Sequence, residues 1–258
     1  MDGLNLSGLD FSILAPAFVA GLIVLTTHIP LGREVIRRGI IFIDLAIAQI
    51  AGLGIIIAYS FGWDEHGFEA QLFAVATALT GAWILSLLEK KAGQHQEALI
   101  GIGFILAATA GILILANNPH AGEHLRELLV GQILWVEWPQ LFYAGLISLL
   151  VLLCWNRIHQ RLGTTGFYLL FACAITVTVQ LVGVYLVFAS LIIPALATTA
   201  IKQKYAIFVA GMIGVTGYGM GLLLSALLDL PSGAVIVWCI ALSALFIKFI
   251  TSQKIKFK

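Results

Sequence analysis

A single carboxylate stands well inside one of the apolar stretches of this chain. Asp44 lies in the run IIFIDLAIAQIAG, with apolar neighbours on both sides. A charged side chain at bilayer depth is costly unless it is paired, hydrated or bound to a cation. Asp44 is therefore predicted to be a ligand on the path of a transported cation. The alternative is a structural hydrogen-bond or ion-pair partner near the cytoplasmic end of a membrane span.

Other polar side chains in apolar segments are secondary candidates for metal ligands. His28 lies near the inner end of the first apolar stretch, and Gln49 follows Asp44 in the second. Gln132 and Gln180 belong to the same group. For each of them the alternative is a hydrogen bond between neighbouring membrane helices.

The motif HAGEH is a second candidate metal site. His120, Glu123 and His124 have i, i+3 and i+4 spacing, which places them on one face of a helix. Imidazole and carboxylate together suit zinc or a similar divalent ion. The spacing also matches HxxEH of one class of zinc protease, but here it follows NNP at the end of a predicted span. Metal capture outside the membrane and a solvated loop without ligand are the two interpretations.

The elements that must position these residues are membrane-spanning helices. Hydrophobic residues make up 60% of the 258 residues and charged ones only 10%, whereas soluble domains carry about a quarter charged residues. A bilayer core requires about 20 apolar residues per helix. The sequence therefore predicts an all-α, polytopic transmembrane bundle of about eight or nine spans in one domain, residues 1–258. The predicted spans are Phe11–Ile29, Gly39–Tyr59, Gln71–Leu88, Ala98–Ala116, Pro139–Trp155, Gly166–Leu181, Gly183–Ala200, Ala206–Leu224 and Ser232–Ile250.

The distribution of basic residues predicts the orientation of the bundle, because Lys and Arg concentrate in cytoplasmic loops. With the N-terminus outside, Arg126 is the one basic residue on the outer side. The C-terminus is then cytoplasmic, in agreement with nine spans. The basic residues on the cytoplasmic side are Arg33, Arg37, Arg38, Lys90, Lys91, Arg157, Arg161, Lys202, Lys204, Lys248, Lys254, Lys256 and Lys258.

Some function classes have no support in the sequence. The phosphate-binding motif GxxxxGK[ST] does not occur, so any ATP-driven motor must be another polypeptide, and no enzyme activity or tightly bound cofactor is expected. Cys154, Cys173 and Cys239 are isolated and are interpreted as small core residues. A net charge of +1 gives no indication of nucleic acid, so the expected surroundings are the lipid bilayer.

Five segments, in order along the chain, carry a resemblance to a known family. They are PLGREVIRRGIIFIDLAIAQIAGLG, LIGIGFILAATAGILIL, LLVGQILWVEWPQL, LVGVYLVFASLIIPALATT and LPSGAVIVWCIALSAL. Together they resemble the integral permease subunits of zinc/manganese ABC importers, the ABC-3 family. The resemblance implies a homodimer that works on two ATPase subunits in the bacterial inner membrane. It also implies a periplasmic or lipid-anchored binding protein that delivers zinc or manganese.

The chain departs from the family pattern in the residues around the metal path and in one loop. Family members carry a His four residues after the intramembrane Asp, whereas this chain has Ala48 there and Gln49 next to it. A His that many members carry in span four is replaced by the apolar residues 104–106. The link at residues 156–165 is shorter than the family's, which includes a cytoplasmic segment that docks on the ATPase.

The leading hypothesis is a permease subunit for a divalent metal, zinc before manganese. The metal would be captured outside near His120, Glu123 and His124 and would pass Asp44. One alternative is a membrane scaffold or regulatory protein with a permease fold and no transport. Another is a metal channel or secondary carrier that does not depend on ATP.

Overall fold

The structure, a computed structural model, describes residues 10–64, 67–116, 118 and 121–256. The regular structure of these residues consists of nine α-helices and two short 3₁₀ turns, without any β-strand. The all-α prediction is therefore confirmed. The helices are α1 (Phe11–Arg38), α2 (Ile43–Ser60), α3 (Phe68–Ala92), α4 (Gln96–Ile114), α5 (Ala121–Val130), α6 (Trp138–Val182), α7 (Val184–Ala197), α8 (Gln203–Leu228) and α9 (Ser232–Lys256).

Eight helical segments of the described chain are long and apolar enough to cross a membrane. The prediction of a polytopic bundle with eight or nine spans is confirmed. The segment predicted as the span Gly183–Ala200 forms the shorter helix α7, which has 14 residues. At 1.5 Å per residue α7 measures about 21 Å, less than the hydrocarbon thickness of about 30 Å. The sidedness of the termini stays a prediction.

Helix α6 is a hairpin of two helical arms that meet at one glycine. Gly163 has φ 55° and ψ −126° inside this 45-residue element. A Cβ added to Gly166 would lie 2.6 Å from the carbonyl oxygen of Ile158. In a straight helix these residues would be separated by about 12 Å of rise, so the chain folds back on itself here. The link at 156–165 is thus a tight helical turn, and no separate helix lies between the two arms in this described segment.

The described residues form two compact units. The first comprises residues 10–37, 130–145 and 181–256 and includes most of α1 and all of α7, α8 and α9. The second comprises Arg38–Leu129 and Leu146–Gln180, which include α2, α3 and α4. The single domain 1–258 stays a prediction.

In the first unit, glycines bring α8 and α9 into close contact. A Cβ added to Gly221 would lie 2.5 Å from the Cα of Ile236, and Gly217 faces Ile240 in the same way. Lipid provides no hydrophobic force between membrane helices, so close backbone approach and van der Waals contact hold them together. The GxxxG pair of α8 therefore has the packing role that the sequence predicts.

In the second unit, α2 packs against both α3 and α4. A Cβ added to Gly54 of α2 would lie 2.9 Å from the Cα of Ala74 on α3, and the side chain of Ile50 occupies the space above Gly81. The chain runs up α2, returns along α3 and runs up α4, so α2 and α4 point in the same direction. Their N-termini and the C-terminus of α3 lie at the same end of this unit.

Candidate functional site

Asp44 is the second residue of α2 and is fully buried, with 0% of its surface exposed. Neither carboxylate oxygen has a hydrogen-bond partner among the described residues. The backbone amides of Asp44 and Leu45 lie close to the carboxylate, at the positive end of the helix dipole. A buried carboxylate without full hydrogen bonding is costly, and a bound cation or a proton at Asp44 would reduce that cost.

The depth of Asp44 in its span differs from the expectation. The sequence predicts a span from Gly39, which would place Asp44 well inside it. In the structure Gly39 has a φ of 70° and follows the last residue of α1, and α2 begins only at Ile43. Glycine adopts positive φ easily and commonly ends a helix in this way. Asp44 therefore lies in the first turn of α2, at one end of the span.

A second carboxylate, absent from the predicted site residues, lies near Asp44. Glu97 is the second residue of α4. Its Oε1 accepts a hydrogen bond of 3.0 Å from the backbone N–H of Phe42, immediately before α2. Its Oε2 is buried and has no hydrogen-bond partner in the described part of the chain. The carboxylates of Glu97 and Asp44 are close enough to repel each other.

The sequence contains a weak signal for Glu97. It stands directly before the apolar run ALIGIG, in the position of a first-turn acid that favours the start of a helix. That signal predicts a helix terminus, and it does not indicate which other helix terminus lies beside it.

Further polar side chains occupy the same end of the second unit. Arg38 Nη1 lies 3.7 Å from Glu89 Oε1 at the end of α3, and the Arg38 guanidinium lies 4.4 Å from the ring centre of Phe167. Gln96 Nε2 donates a 2.8 Å hydrogen bond to the hydroxyl of the buried Tyr168. Arg38 thus contacts Glu89 and an aromatic face at the end of the unit where Asp44 and Glu97 lie.

His28 belongs to the first unit and is fully buried in α1. Its Nδ1 lies 2.8 Å from the Oγ of Ser190 on α7, which is hydrogen-bond distance. This contact between helices is the alternative to a metal ligand that the sequence leaves open for His28. A ligand role for His28 stays a prediction.

Gln49 lies half-buried on α2, five residues after Asp44. At 3.6 residues per turn this spacing rotates Gln49 by about 140° away from Asp44, whereas the buried Ala48 lies on the same face as Asp44. Gln49 and Asp44 therefore do not form a pair on one helix face. No group of three or more His, Cys, Asp or Glu side chains in the described residues is placed to hold a metal ion.

The HAGEH motif lies largely outside the described residues. His120 is not among them, and Glu123 and His124 are described only as backbone of α5. The helical course of α5 agrees with the spacing argument for Glu123 and His124. Metal capture by His120, Glu123 and His124 stays a prediction.

Known membrane proteins of metal transport systems are similar to this chain in sequence. The model of the ABC 3 transport family matches residues 10–167 and 156–252. A probable metal transport system membrane protein of Chlamydia trachomatis is 24% identical over 233 residues, which cover 80% of this chain and 78% of that protein. The manganese transport system membrane protein MntC of Halalkalibacterium halodurans is 28% identical and covers 89% of this chain and 84% of its own length.

A solved structure has a similar fold. PsaBC from Streptococcus pneumoniae, determined in complex with a Fab, superposes with a TM-score of 0.73 at 22% sequence identity. The alignment covers 92% of this chain and 91% of that chain. At this identity the likeness concerns the fold alone.

Proposed function

The chain belongs to the ABC 3 transport family and is the membrane component of a metal ABC transporter, and we propose that it forms the path by which a divalent cation enters the cell. From the sequence, zinc is expected before manganese. The relatives include a protein named for manganese transport, so the proposal at this level covers divalent metals as a class.

This proposal rests on the burial and the hydrogen bonding of the Asp44 side chain. Its side chain is completely buried at one end of a membrane-length helix, and its oxygens have no hydrogen-bond partner among the described residues. A buried carboxylate that serves only to stabilise the fold is normally paired with a hydrogen-bond donor or a cationic side chain. A passing metal ion would supply the missing charge, and the two free oxygens would be its ligands.

The proposed partners are those implied by the family to which the chain belongs, and the lack of a nucleotide-binding motif in the sequence agrees with a separate ATPase. We expect a cytoplasmic ATPase, a periplasmic metal-binding protein, a second copy of this chain and a location in the bacterial inner membrane. The tip of the α6 hairpin is the proposed contact with the ATPase, because Arg157 and Arg161 are exposed there, shortly before the reversal at Gly163.

Metal uptake by whole cells tests the proposal. Cells that lack other importers would express the wild type, D44N or the control E69Q, in which an exposed first-turn acid of α3 is neutralised. We expect wild-type and E69Q cells to accumulate manganese or zinc, and D44N cells to fall to the level of the empty vector. Equal uptake by D44N and wild type at equal protein levels would remove Asp44 from the path.

A second candidate function is a membrane scaffold or regulatory protein without transport. It is favoured by the tight reversal of α6 at Gly163, which leaves little chain for docking on an ATPase. Copurification discriminates between the two: a permease brings down an ATPase subunit in stoichiometric amount, and a scaffold does not. A channel or carrier independent of ATP would show uptake that follows the membrane potential without such a partner.

A further inference from the structure

We propose that Glu97 supplies the second carboxylate of the cation site at Asp44, and that this oxygen-only site accepts manganese(II). The inference rests on the proposed function, which it deepens by naming a second ligand and an ion that suits the ligands.

The geometry that supports this pairing comes from two parallel helices. Asp44 and Glu97 are each the second residue of their helix, and α2 and α4 begin at the same end of the second unit and pack together. The hydrogen bond from the Phe42 N–H to Glu97 Oε1, at 3.0 Å, fixes the Glu97 carboxylate two residues from Asp44. The start of α2 therefore brings the two acids together although 52 residues separate them in the sequence.

The second carboxylate oxygen of Glu97 makes no hydrogen bond within the described chain. Oε1 caps the N-terminus of α2, but Oε2 is buried without a hydrogen-bond partner, as are both oxygens of Asp44. Three buried carboxylate oxygens at this end of the unit thus lack a side-chain hydrogen-bond partner among the described residues. When both carboxyl groups are ionised they carry a charge of −2, which one divalent cation neutralises.

The chemistry of these ligands favours one kind of metal. Carboxylate oxygens suit hard ions such as manganese, and zinc also accepts them although its protein sites usually include histidine or cysteine. Position 48, on the same helix face as Asp44, is an alanine, and the described residues offer no cluster of three or more His, Cys, Asp or Glu. Two carboxylates without an imidazole therefore form a ligand set of the kind that suits manganese.

Equilibrium binding to the purified full-length chain tests this proposal. Manganese(II) chloride would be titrated in detergent and followed by the electron paramagnetic resonance of free manganese, and zinc chloride would then compete. E97Q removes the charge but keeps an oxygen that can accept the Phe42 N–H bond. E97D keeps the charge on a shorter side chain, and E69Q is the control with an exposed acid at the start of α3.

We expect E97Q and D44N each to weaken manganese binding by about tenfold or more, a loss in the range of removing a group that supports a metal site. E97D should retain part of the affinity, E69Q should bind like the wild type, and zinc should displace manganese if both ions occupy this site. Thermal unfolding of E97Q close to that of the wild type would show that its cap is intact.

Three results would overturn the proposal, and they differ in what else they affect. If E97Q binds like the wild type while D44N does not, Glu97 is only a helix cap, and the proposed role of Asp44 survives. If the wild type does not bind manganese at all, the carboxylate site is wrong. If neither D44N nor E97Q changes binding, both the Glu97 inference and the Asp44 path fail.

Discussion

The Nδ1 atom of His28 and the Oγ atom of Ser190 lie 2.8 Å apart, and both side chains are completely buried. The Ser190 hydroxyl donates its hydrogen to the carbonyl of Val187 at 3.1 Å. The tautomer of His28 determines which of the two groups donates in the contact between His28 and Ser190. This bond joins α1 to α7, where an added Cβ on Gly32 would also meet the carbonyl of Leu191.

Replacing Ser190 with alanine should destabilise the first unit through His28. The substitution removes the hydroxyl that pairs with the buried imidazole Nδ1, and hydrogen bonds between membrane helices contribute about 1 kcal/mol. We expect S190A to lower the free energy of unfolding in detergent by about that amount. The control T26A removes an exposed hydroxyl that is hydrogen-bonded to the carbonyl of Ile23 in the same helix. It should change the free energy of unfolding by less than about 0.5 kcal/mol. Equal losses in both variants would contradict this role of the His28–Ser190 bond.

Replacing Gly183, which joins α6 to α7, with alanine should be strongly destabilising. Gly183 has a φ of 78°, and an added Cβ would lie 2.6 Å from the Cα of Gly131, which has a φ of 74°. Positive φ alone costs an alanine about 1–2 kcal/mol, and here a backbone clash is added. G183A should therefore lower the unfolding free energy by more than about 2 kcal/mol.

The control for Gly183 is Gly93, which has a φ of 51° and no atom within 4 Å of an added Cβ. G93A should lower the unfolding free energy only by the cost of the positive φ, about 1 kcal/mol. Chemical denaturation of both variants in detergent measures the difference. A G183A protein as stable as G93A would mean that the backbones at Gly183 and Gly131 are not in contact.

The packing of α8 on α9 can be tested with two glycines of one helix. G221A would push a methyl group to 2.5 Å from the Cα of Ile236, whereas G219A meets only the Phe18 side chain at 3.6 Å. Overpacking costs about 1–3 kcal/mol, and an open helical glycine gains up to about 1 kcal/mol when changed to alanine. The thermal midpoint should fall for G221A and stay or rise for G219A. A reversed order would exclude the close helix contact.

Charge reversal at the α6 hairpin tests the proposed ATPase contact. The double variant R157E/R161E changes two exposed side chains and leaves the helical arms intact. Exposed ion pairs contribute about 0.2–1 kcal/mol each, so we expect about a threefold to tenfold loss of ATPase in copurification. The control R126E reverses an exposed charge on α5, predicted to lie outside. Unchanged capture by the double variant would assign ATPase docking to another segment.

Much of the fold could be predicted because its signals are local. The spans follow from apolar composition over about 20 residues, and the spacing of Gly217 and Gly221 predicts a close helix contact that the structure contains. The isolated position of Asp44 among apolar residues likewise distinguishes it from every other acid in the sequence. The predicted second span begins four residues before α2, because the hydropathy of GIIF continues that of the helix whereas the φ of Gly39 interrupts it.

The sequence by itself determined that the chain is a helical membrane protein with one exceptional buried acid, since the burial of apolar groups and of charge depends on residue type and local pattern. Only the tertiary structure decided which distant residues meet: Glu97 at the Phe42 amide beside Asp44, and Ser190 at His28, 162 residues away. The physical reason is that helix neighbours are chosen by close packing of small residues. That packing depends on how two whole helix surfaces fit together, and no single segment of sequence contains both surfaces.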